Sequence, residues 1–240
     1  MQTSNSRFRS ISGQKKLAGL LAAFITLAIT FPFSARAEYS LKTTEKSPPE
    51  SFSKAIRDTL QPNSIQVLND GNLVFEFWFR QAIPLKTAPE SLAKSMDAIR
   101  ETTLCGVAIV HKAPPDYRDN PFLQGPMTLR FSLQPQDGNH LGSAEFPYFM
   151  TLIPVAYDKE PDGITRYKQM IKASGRDTAT DHPIIFSLRP VATAEEGLPK
   201  LTQPAPEHKS VRIQVPGKVR NTDQSAPVAF DLVIEGKGHF

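Results

Sequence analysis

Alternating apolar and polar residues dominate the chain from residue 65 onward, and a period of two is typical of strands. The clearest run is 73–80, LVFEFWFR, in which Leu73 and three phenylalanines fall on one side. The segment 69–72, NDGN, directly precedes it and is a turn signal. This arrangement predicts a β-hairpin between 65–68 and 73–80.

Further runs extend this pattern through the chain, whereas helical spacing is rare. Many short strands separated by Pro, Gly and Asn predict a mostly β fold, an antiparallel immunoglobulin-like β-sandwich with one or two short helices. We expect a single sandwich domain over 51–240, preceded by a flexible polar segment at 38–50. The further strand candidates are 106–111, 127–134, 149–154, 184–188, 211–215 and 228–235, and the helix candidates are 51–60, 89–101 and the shorter 167–173.

Residues 1–37 have the order of a secretory signal peptide. Arg7, Arg9, Lys15 and Lys16 precede the uncharged apolar run 17–31, and Ala35-Arg36-Ala37 has the small residues of a cleavage site. The apolar run is short for a bilayer span of about 20 residues. The sequence therefore predicts cleavage after Ala37, export to the periplasm or the extracellular space, and no stable membrane insertion afterwards.

Removal of the leader changes the charge balance. Residues 1–37 hold five of the 28 Lys and Arg residues and no acid, so 23 basic and 24 acidic residues remain. A nucleic-acid-binding chain normally carries a basic patch or stripe. None is visible here, so we expect no nucleic-acid partner.

Standard catalytic signatures are missing from the sequence. It contains no Gly-x-Ser-x-Gly elbow, no phosphate-binding glycine loop, no His-Glu-x-x-His and no cysteine pair for zinc. The single cysteine, Cys105, lies in an apolar run and is interpreted as a small buried residue. These observations favour a non-catalytic protein, although an unrecognised enzyme site remains an alternative.

The segment 128–142, TLRFSLQPQDGNHLG, is the first candidate site. A turn through Asp137 would bring its carboxylate beside the imidazole of His140, and His182 could join them from another loop. Carboxylate and imidazole groups are ligands for copper or zinc. Asp137, His140 and His182 are therefore candidate metal ligands, with an ordinary solvated turn as the alternative.

The second candidate site joins Glu76, Trp78 and Arg130. If strands 73–80 and 127–134 are neighbours, their outward positions place a carboxylate and a guanidinium beside the only tryptophan. An exposed indole ring offers a flat apolar surface for a sugar. The sequence thus predicts either a carbohydrate-binding platform or a cross-strand ion pair covered by the ring.

Three blocks of the chain stand out together: LQPNSIQVLNDGNLVFEFWFRQAIP (60–84), DYRDNPFLQGPMTLRFSLQPQDGNHLG (116–142) and HPIIFSL (182–188). They resemble a family of uncharacterised exported proteins found mainly in planctomycete-type bacteria. This resemblance implies export and one β-rich unit, and it implies no activity.

The segment 137–140 is also similar to a motif of secreted copper-resistance chaperones, which are small β-sandwiches. Their motif is Asp-Gly-His, and its Asp and His bind Cu(II) together with an N-terminal His. Here Asn139 separates the glycine from His140, and no histidine lies near Glu38.

We therefore expect an exported, non-catalytic binding or interaction module with a protein or polysaccharide partner. The alternatives are a copper- or zinc-binding protein that uses Asp137 and His140, and a carbohydrate-binding protein built around Trp78.

Overall fold

The alternating runs form strands in the computed structural model, which describes residues 38–113, 115, 121–137, 140, 144–206 and 208–236. Among these described residues, two α-helices and two short 3₁₀ helices lie between the strands. In chain order the elements are β1 (Tyr39–Thr44), α1 (Lys54–Arg57), β2 (Ser64–Asn69), β3 (Asn72–Phe79), β4 (Ile83–Leu85), a 3₁₀ helix (Leu92–Ala98), β5 (Leu104–Val110), β6 (Gly125–Leu133), β7 (Tyr148–Pro154), a 3₁₀ helix (Val155–Tyr157), α2 (Tyr167–Gly175), β8 (Ile184–Pro190), β9 (Lys200–Thr202), β10 (Lys209–Val219) and β11 (Ser225–Glu235).

All the strands of the described residues join in one 11-stranded sheet. Its order is β1-β2-β3-β5-β6-β7-β8-β11-β10-β4, with β9 pairing β10 beside this path. Neighbouring strands are antiparallel except β10 and β4, which are parallel. The predicted mostly β fold is confirmed. The predicted immunoglobulin-like sandwich of two sheets is not confirmed, because the strands belong to one continuous sheet.

The main core lies between distant parts of the inner face of this sheet, which pack against each other. The Phe75 and Phe77 rings of β3 pack edge-to-face on Phe186 of β8, with centroids 5.2 and 5.8 Å apart. Phe79 packs on Phe230 of β11 at 6.0 Å. Strands β3 and β8 are far apart in the sheet order. The sheet therefore curls until its inner faces bury one apolar interior.

Two smaller apolar clusters cover parts of the outer face. Phe52 and Ile56, from the segment around α1, pack on Trp78 of β3. Met170 of α2 packs on Ile153 of β7. The central strands are therefore buried on both faces, and their outward positions include apolar residues such as Trp78 and Ile153 as well as polar ones such as Arg130 and Thr151.

The predicted hairpin is confirmed by the pairing of β2 with β3. Asp70 and Gly71, at the turn, have φ values of 49° and 77°. Two successive positive φ angles match the right-handed twist of a hairpin, and Gly and Asp tolerate them. The helix predicted at 167–173 is confirmed as α2, while the one predicted at 89–101 is a shorter 3₁₀ helix.

The segment 38–50, predicted to be flexible, forms a strand over 39–44. β1 pairs along its length with β2, and the backbone N–H of Glu38 donates to Asp70 Oδ1 at 2.9 Å. Lys46 accepts a 2.7 Å hydrogen bond from Trp78 Nε1 on its carbonyl oxygen. The segment is polar because it forms a sheet edge, where side chains reach water while the backbone supplies the ladder.

The described residues belong to one compact unit. The predicted leader, residues 1–37, lies outside the described residues. Within the described part of the chain, neither helix is long and apolar enough to span a bilayer.

Candidate functional site

A cavity of about 300 Å³ opens on the outer face of strands β6, β7 and β8, beside α2. Two loops complete its wall, one after β6 and one before β8. We call this cavity the outer pocket. It is lined by Ser132, Leu133, Gln134, Pro135, His140, Phe149, Thr151, Tyr167, Ile171, Thr180, Asp181, His182, Pro183 and Ile185.

Ser174 fixes α2 against the sheet. Its buried hydroxyl donates to the Leu152 carbonyl at 2.5 Å and accepts from the backbone N–H of Ile184 at 3.0 Å. One side chain thus joins the helix to β7 and β8. Met170, one turn earlier, is fully buried against Ile153. The wall formed by α2 is therefore anchored by both hydrogen bonds and apolar packing.

The loop between α2 and β8 holds His182 in place. The Thr178 hydroxyl donates to the His182 carbonyl at 3.1 Å. His182 Nδ1 lies 3.0 Å from the Pro183 carbonyl. A carbonyl oxygen only accepts hydrogen bonds, so Nδ1 carries the proton in this contact and the neutral ring has its lone pair on Nε2.

Asp137 and His140 are brought together by the turn after β6. The backbone N–H of His140 donates to Asp137 Oδ1 at 3.2 Å, and His140 Nδ1 lies 2.6 Å from the same oxygen. Such an Asx-type turn uses the short carboxylate side chain as a local acceptor. Both side chains remain accessible, with 53% of Asp137 and 30% of His140 exposed.

The three predicted metal ligands do not form one ligand set. His140 and His182 line the same pocket. However, the described residues contain no group of three or more His, Cys, Asp or Glu side chains placed to hold one metal ion.

The interior of the pocket combines hydroxyl groups with apolar surface. Ser132 and Thr151 are buried and share a 2.7 Å hydrogen bond between their hydroxyls. Phe149 and Ile185 are each about nine-tenths buried on the adjoining strands. Burial, with the negative charges of Glu101 and Asp137, raises the pKa of Tyr167, so its phenol stays protonated.

Sequence reasoning did not identify these hydroxyl and apolar groups. Ser132 is an outward position of the run 127–134, and nothing in the sequence shows which outward positions a helix covers. The usable signal was the concentration of small hydroxyl residues at outward positions of two consecutive strands, Thr128, Ser132 and Thr151.

The predicted carbohydrate platform is wrong at its central residue. Trp78 has no exposed surface. Phe52, Leu104 and Val107 pack around its ring, and its N–H donates a hydrogen bond to the Lys46 carbonyl. A ring enclosed in this way offers no face on which a sugar could stack.

Glu76 and Arg130 do not face each other, because β5 lies between β3 and β6. The buried carboxylate of Glu76 instead accepts hydrogen bonds from Lys46 Nζ at 2.7 Å and from Ser64 and Gln66 at 2.9 Å. Burial alone raises the pKa of Glu76, but these three donors outweigh it, so the pKa lies below its usual value.

Arg130 pairs with Asp158, and both side chains are almost completely buried. Nε and Nη2 of Arg130 each donate at 2.7 Å to one carboxylate oxygen. The remaining N–H groups reach the carbonyls of Thr102, Pro161 and Glu160. A guanidinium satisfied so completely ties the segment after β7 to the sheet and has no capacity left for a ligand.

Comparisons with protein families, with characterised proteins and with solved structures found no match to this chain. The resemblance to exported planctomycete-type proteins therefore stays a prediction, and the functional argument depends on the geometry of the pockets.

Proposed function

We propose that this chain is an exported binding protein that holds a small, partly apolar organic molecule in the outer pocket. The observation that carries the proposal is the combination of apolar walls with convergent hydroxyl and imidazole groups in one cavity. Its volume of about 300 Å³ lies at the small end of the range typical of ligand sites. The ligand would be about as large as a single aromatic ring with substituents.

The lining of the outer pocket indicates what such a ligand needs. Phe149, Ile171 and Ile185 provide surface for an aromatic or aliphatic body. Elsewhere on the wall, the Tyr167 phenol and the imidazoles of His140 and His182 can exchange hydrogen bonds with the polar groups of the ligand. A molecule with an apolar ring and one or two hydroxyl, amide or carboxylate groups fits both requirements.

A second groove continues from the pocket along α2. Tyr167, Ile171 and Asp181 line both cavities, and Lys168, Lys172 and Arg176 line only the groove. These three cations are exposed along the helix. A longer ligand could therefore place its apolar end in the outer pocket and an acidic end against α2.

A fragment screen by protein-observed NMR tests this proposal. The probes are small aromatic acids, amides and alcohols of one ring. We expect fragments that bind to shift the backbone amides of 132–134, 149–151 and 182–185. Ile185→Trp should abolish these shifts, because the larger side chain fills the cavity.

Leu73→Trp is the matched control, since it makes the same kind of enlargement at a partly exposed position on β3. It should leave fragment binding unchanged. Fragments that shift none of the pocket amides, or that bind Ile185→Trp as well as the unmodified protein, would contradict the proposal.

Export is the second part of the proposal, and the leader pattern of residues 1–37 supports it. The first strand of the described residues, β1, begins at Tyr39, just after the proposed cleavage point. Expression in a Gram-negative host, followed by N-terminal sequencing of the periplasmic fraction, should give a chain that starts at Glu38. Material that stays in the cytoplasm and still begins at Met1 would refute this part alone.

Copper or zinc binding at the Asp137–His140 pair is a second candidate function. The hydrogen bond between Asp137 and His140 Nδ1 favours it, because a carboxylate in this position orients histidine ligands in many metal sites. Calorimetric titration with Zn²⁺ or Cu²⁺ should show binding that His140→Ala removes. Equal metal affinity in that variant would exclude this candidate and leave the organic-ligand proposal intact.

A further inference from the structure

A separate cavity of about 360 Å³ lies between the end of β3 and the end of β10. It shares no lining residue with the outer pocket. Three of its residues, Arg80, Lys218 and Arg220, are basic, and none of the described residues that line it is acidic. We call it the basic pocket. Its other lining residues are Thr59, Gln81, Ala82, Pro84, Val219 and Asn221.

Arg80 is the unusual residue of this pocket. Its Nε is buried and has no hydrogen-bond partner, and its guanidinium forms no ion pair within the described part of the chain. By contrast, the buried guanidinium of Arg130 is satisfied by the Asp158 carboxylate and three backbone carbonyls. An arginine is always charged, so a half-buried one without a counter-ion is costly unless something else supplies negative charge.

The backbone of Arg80 is fixed by its neighbours. Its N–H donates to the Cys105 carbonyl at 2.9 Å, and its carbonyl accepts from Gln61 Nε2 at 3.2 Å. Leu60 pairs with Arg80 in an isolated bridge. The side chain of Arg80 therefore starts from a paired segment next to the end of β3 and not from an unpaired loop.

The other two cations come from β10 and the turn after it. The parallel pairing of Lys218 with Pro84 places them beside β4, and the N–H of Arg220 donates to the Leu85 carbonyl at 3.0 Å. Arg220 contacts one carboxylate, Asp162, at 3.6 Å, and both side chains are largely exposed. Such a pair is weak. It leaves the pocket with an excess of positive charge.

We propose that the basic pocket binds an oxoanion group, phosphate or sulfate, carried by a small organic molecule. The planar fork of Arg80 can bind two oxygens at once, and Lys218 and Arg220 would complete the charge neutralisation. The oxoanion supplies the missing partner for Nε of Arg80. Because the cavity is larger than the anion alone, Ala82, Pro84 and Val219 would contact the rest of the molecule.

The test is a titration of the purified full chain at low salt, followed by NMR and calorimetry. Inorganic phosphate, inorganic sulfate, glucose 6-phosphate and glucose 6-sulfate are the probes, and glucose is the uncharged control. We expect at least one anionic probe to bind and to shift the amides of 80–82 and 218–221. Comparison of the two glucose esters distinguishes a phosphate site from a sulfate site.

Three variants probe the cations one at a time. Arg80→Gln, Lys218→Gln and Arg220→Gln should each weaken binding about tenfold, the loss typical for one charge-assisted hydrogen bond. Lys218 and Arg220 are exposed, so their variants stay informative if Arg80→Gln fails to fold. Arg100→Gln, an exposed arginine outside both pockets, is the matched control and should bind normally.

Two results would overturn this inference. One is the absence of binding of all four anions at millimolar concentration. The other is binding that Arg100→Gln weakens as much as Lys218→Gln and Arg220→Gln do, since that pattern indicates attraction to overall charge and not to this pocket.

Discussion

Arg130 donates five hydrogen bonds while lying almost completely out of solvent. Its pair with Asp158 fixes the segment after β7 to the sheet. Asp158 lies in that segment and also accepts a hydrogen bond from the Thr128 hydroxyl at 2.5 Å. A charge pair buried this deeply is costly to break, since the remaining partner would lie uncompensated away from water.

Asp158→Ala should lower the free energy of unfolding by about 3–5 kcal/mol, because it leaves the Arg130 charge buried alone. Asp58→Ala is the matched control. It removes the carboxylate of an exposed pair with Lys54 and should cost about 0–1 kcal/mol. Urea denaturation followed by circular dichroism measures both variants, and similar losses in the two would contradict the assignment of Asp158 as the critical partner.

Glu76 gives the protein a defined response to acid. Its pKa is lowered in the folded state, so its carboxylate stabilises the fold at pH values above the unfolded pKa of about 4.3. This contribution disappears as the pH falls through the lower, folded pKa. Between pH 7 and pH 3, the unmodified protein should therefore lose more stability than Glu76→Gln. Parallel denaturation curves for the two proteins over this range would contradict the prediction.

At the level of elements, α2 is important for the proposed function because it forms one wall of the outer pocket. Gly175, its last residue, lies so close to the loop before β8 that an added Cβ would sit 2.2 Å from the Asp181 carbonyl oxygen. Alanine would favour the helix by about 1 kcal/mol. The clash with backbone acts in the opposite direction and is the larger effect.

Gly175→Ala should therefore destabilise the protein by about 1–3 kcal/mol. It should also shift the amides of 181–183, because the loop that carries His182 must move. Lys172→Ala, on the exposed side of the same helix, should change the stability by less than about 0.5 kcal/mol. Thermal denaturation and NMR spectra of both variants provide the comparison, and an unchanged loop in Gly175→Ala would disprove the proposed contact.

The strands could be predicted from the sequence where the period of two was strong, and not where pairing alone makes a strand. β3 and β6 have long alternating runs. β1, YSLKTT, has a polar sequence and is a strand because β2 provides its partner. β4 contains Pro84 and is a strand only through its parallel pairing with β10. Propensity is weak at such edges, and tertiary contacts decide.

For the candidate site, the sequence predicted only the contact between Asp137 and His140, which one local turn determines. Asp137 and His140 are three residues apart, so their contact needs only a turn. The predicted exposure of Trp78 was wrong because Phe52, which covers its ring, comes from a distant segment of the chain. The basic pocket around Arg80 could not be predicted, because the sequence next to Arg80 does not show that its guanidinium lacks a carboxylate partner in the fold.

At the level of the whole molecule, Cys105 reports on the integrity of the core. It has no exposed surface, and burial raises the pKa of its thiol to about 12. Because the thiolate is the reactive form, Ellman's reagent at pH 8 should not label the native protein. After urea unfolding, the one thiol should react fully. Rapid labelling of the native state would show that the sheet opens locally at β5.

The parallel pairing of β4 with β10 also has a consequence for biosynthesis. Most of the chain separates these two strands, and contacts between distant segments form slowly because a large loop must first be closed. While the nascent polypeptide emerges, the hairpin of β2 and β3 can form early, but β4, which bridges only Ile99 nearby in the chain, has no strand partner among the described residues until β10 has been made. During that interval the growing chain exposes an unfinished strand edge, the state in which β-rich proteins aggregate most readily.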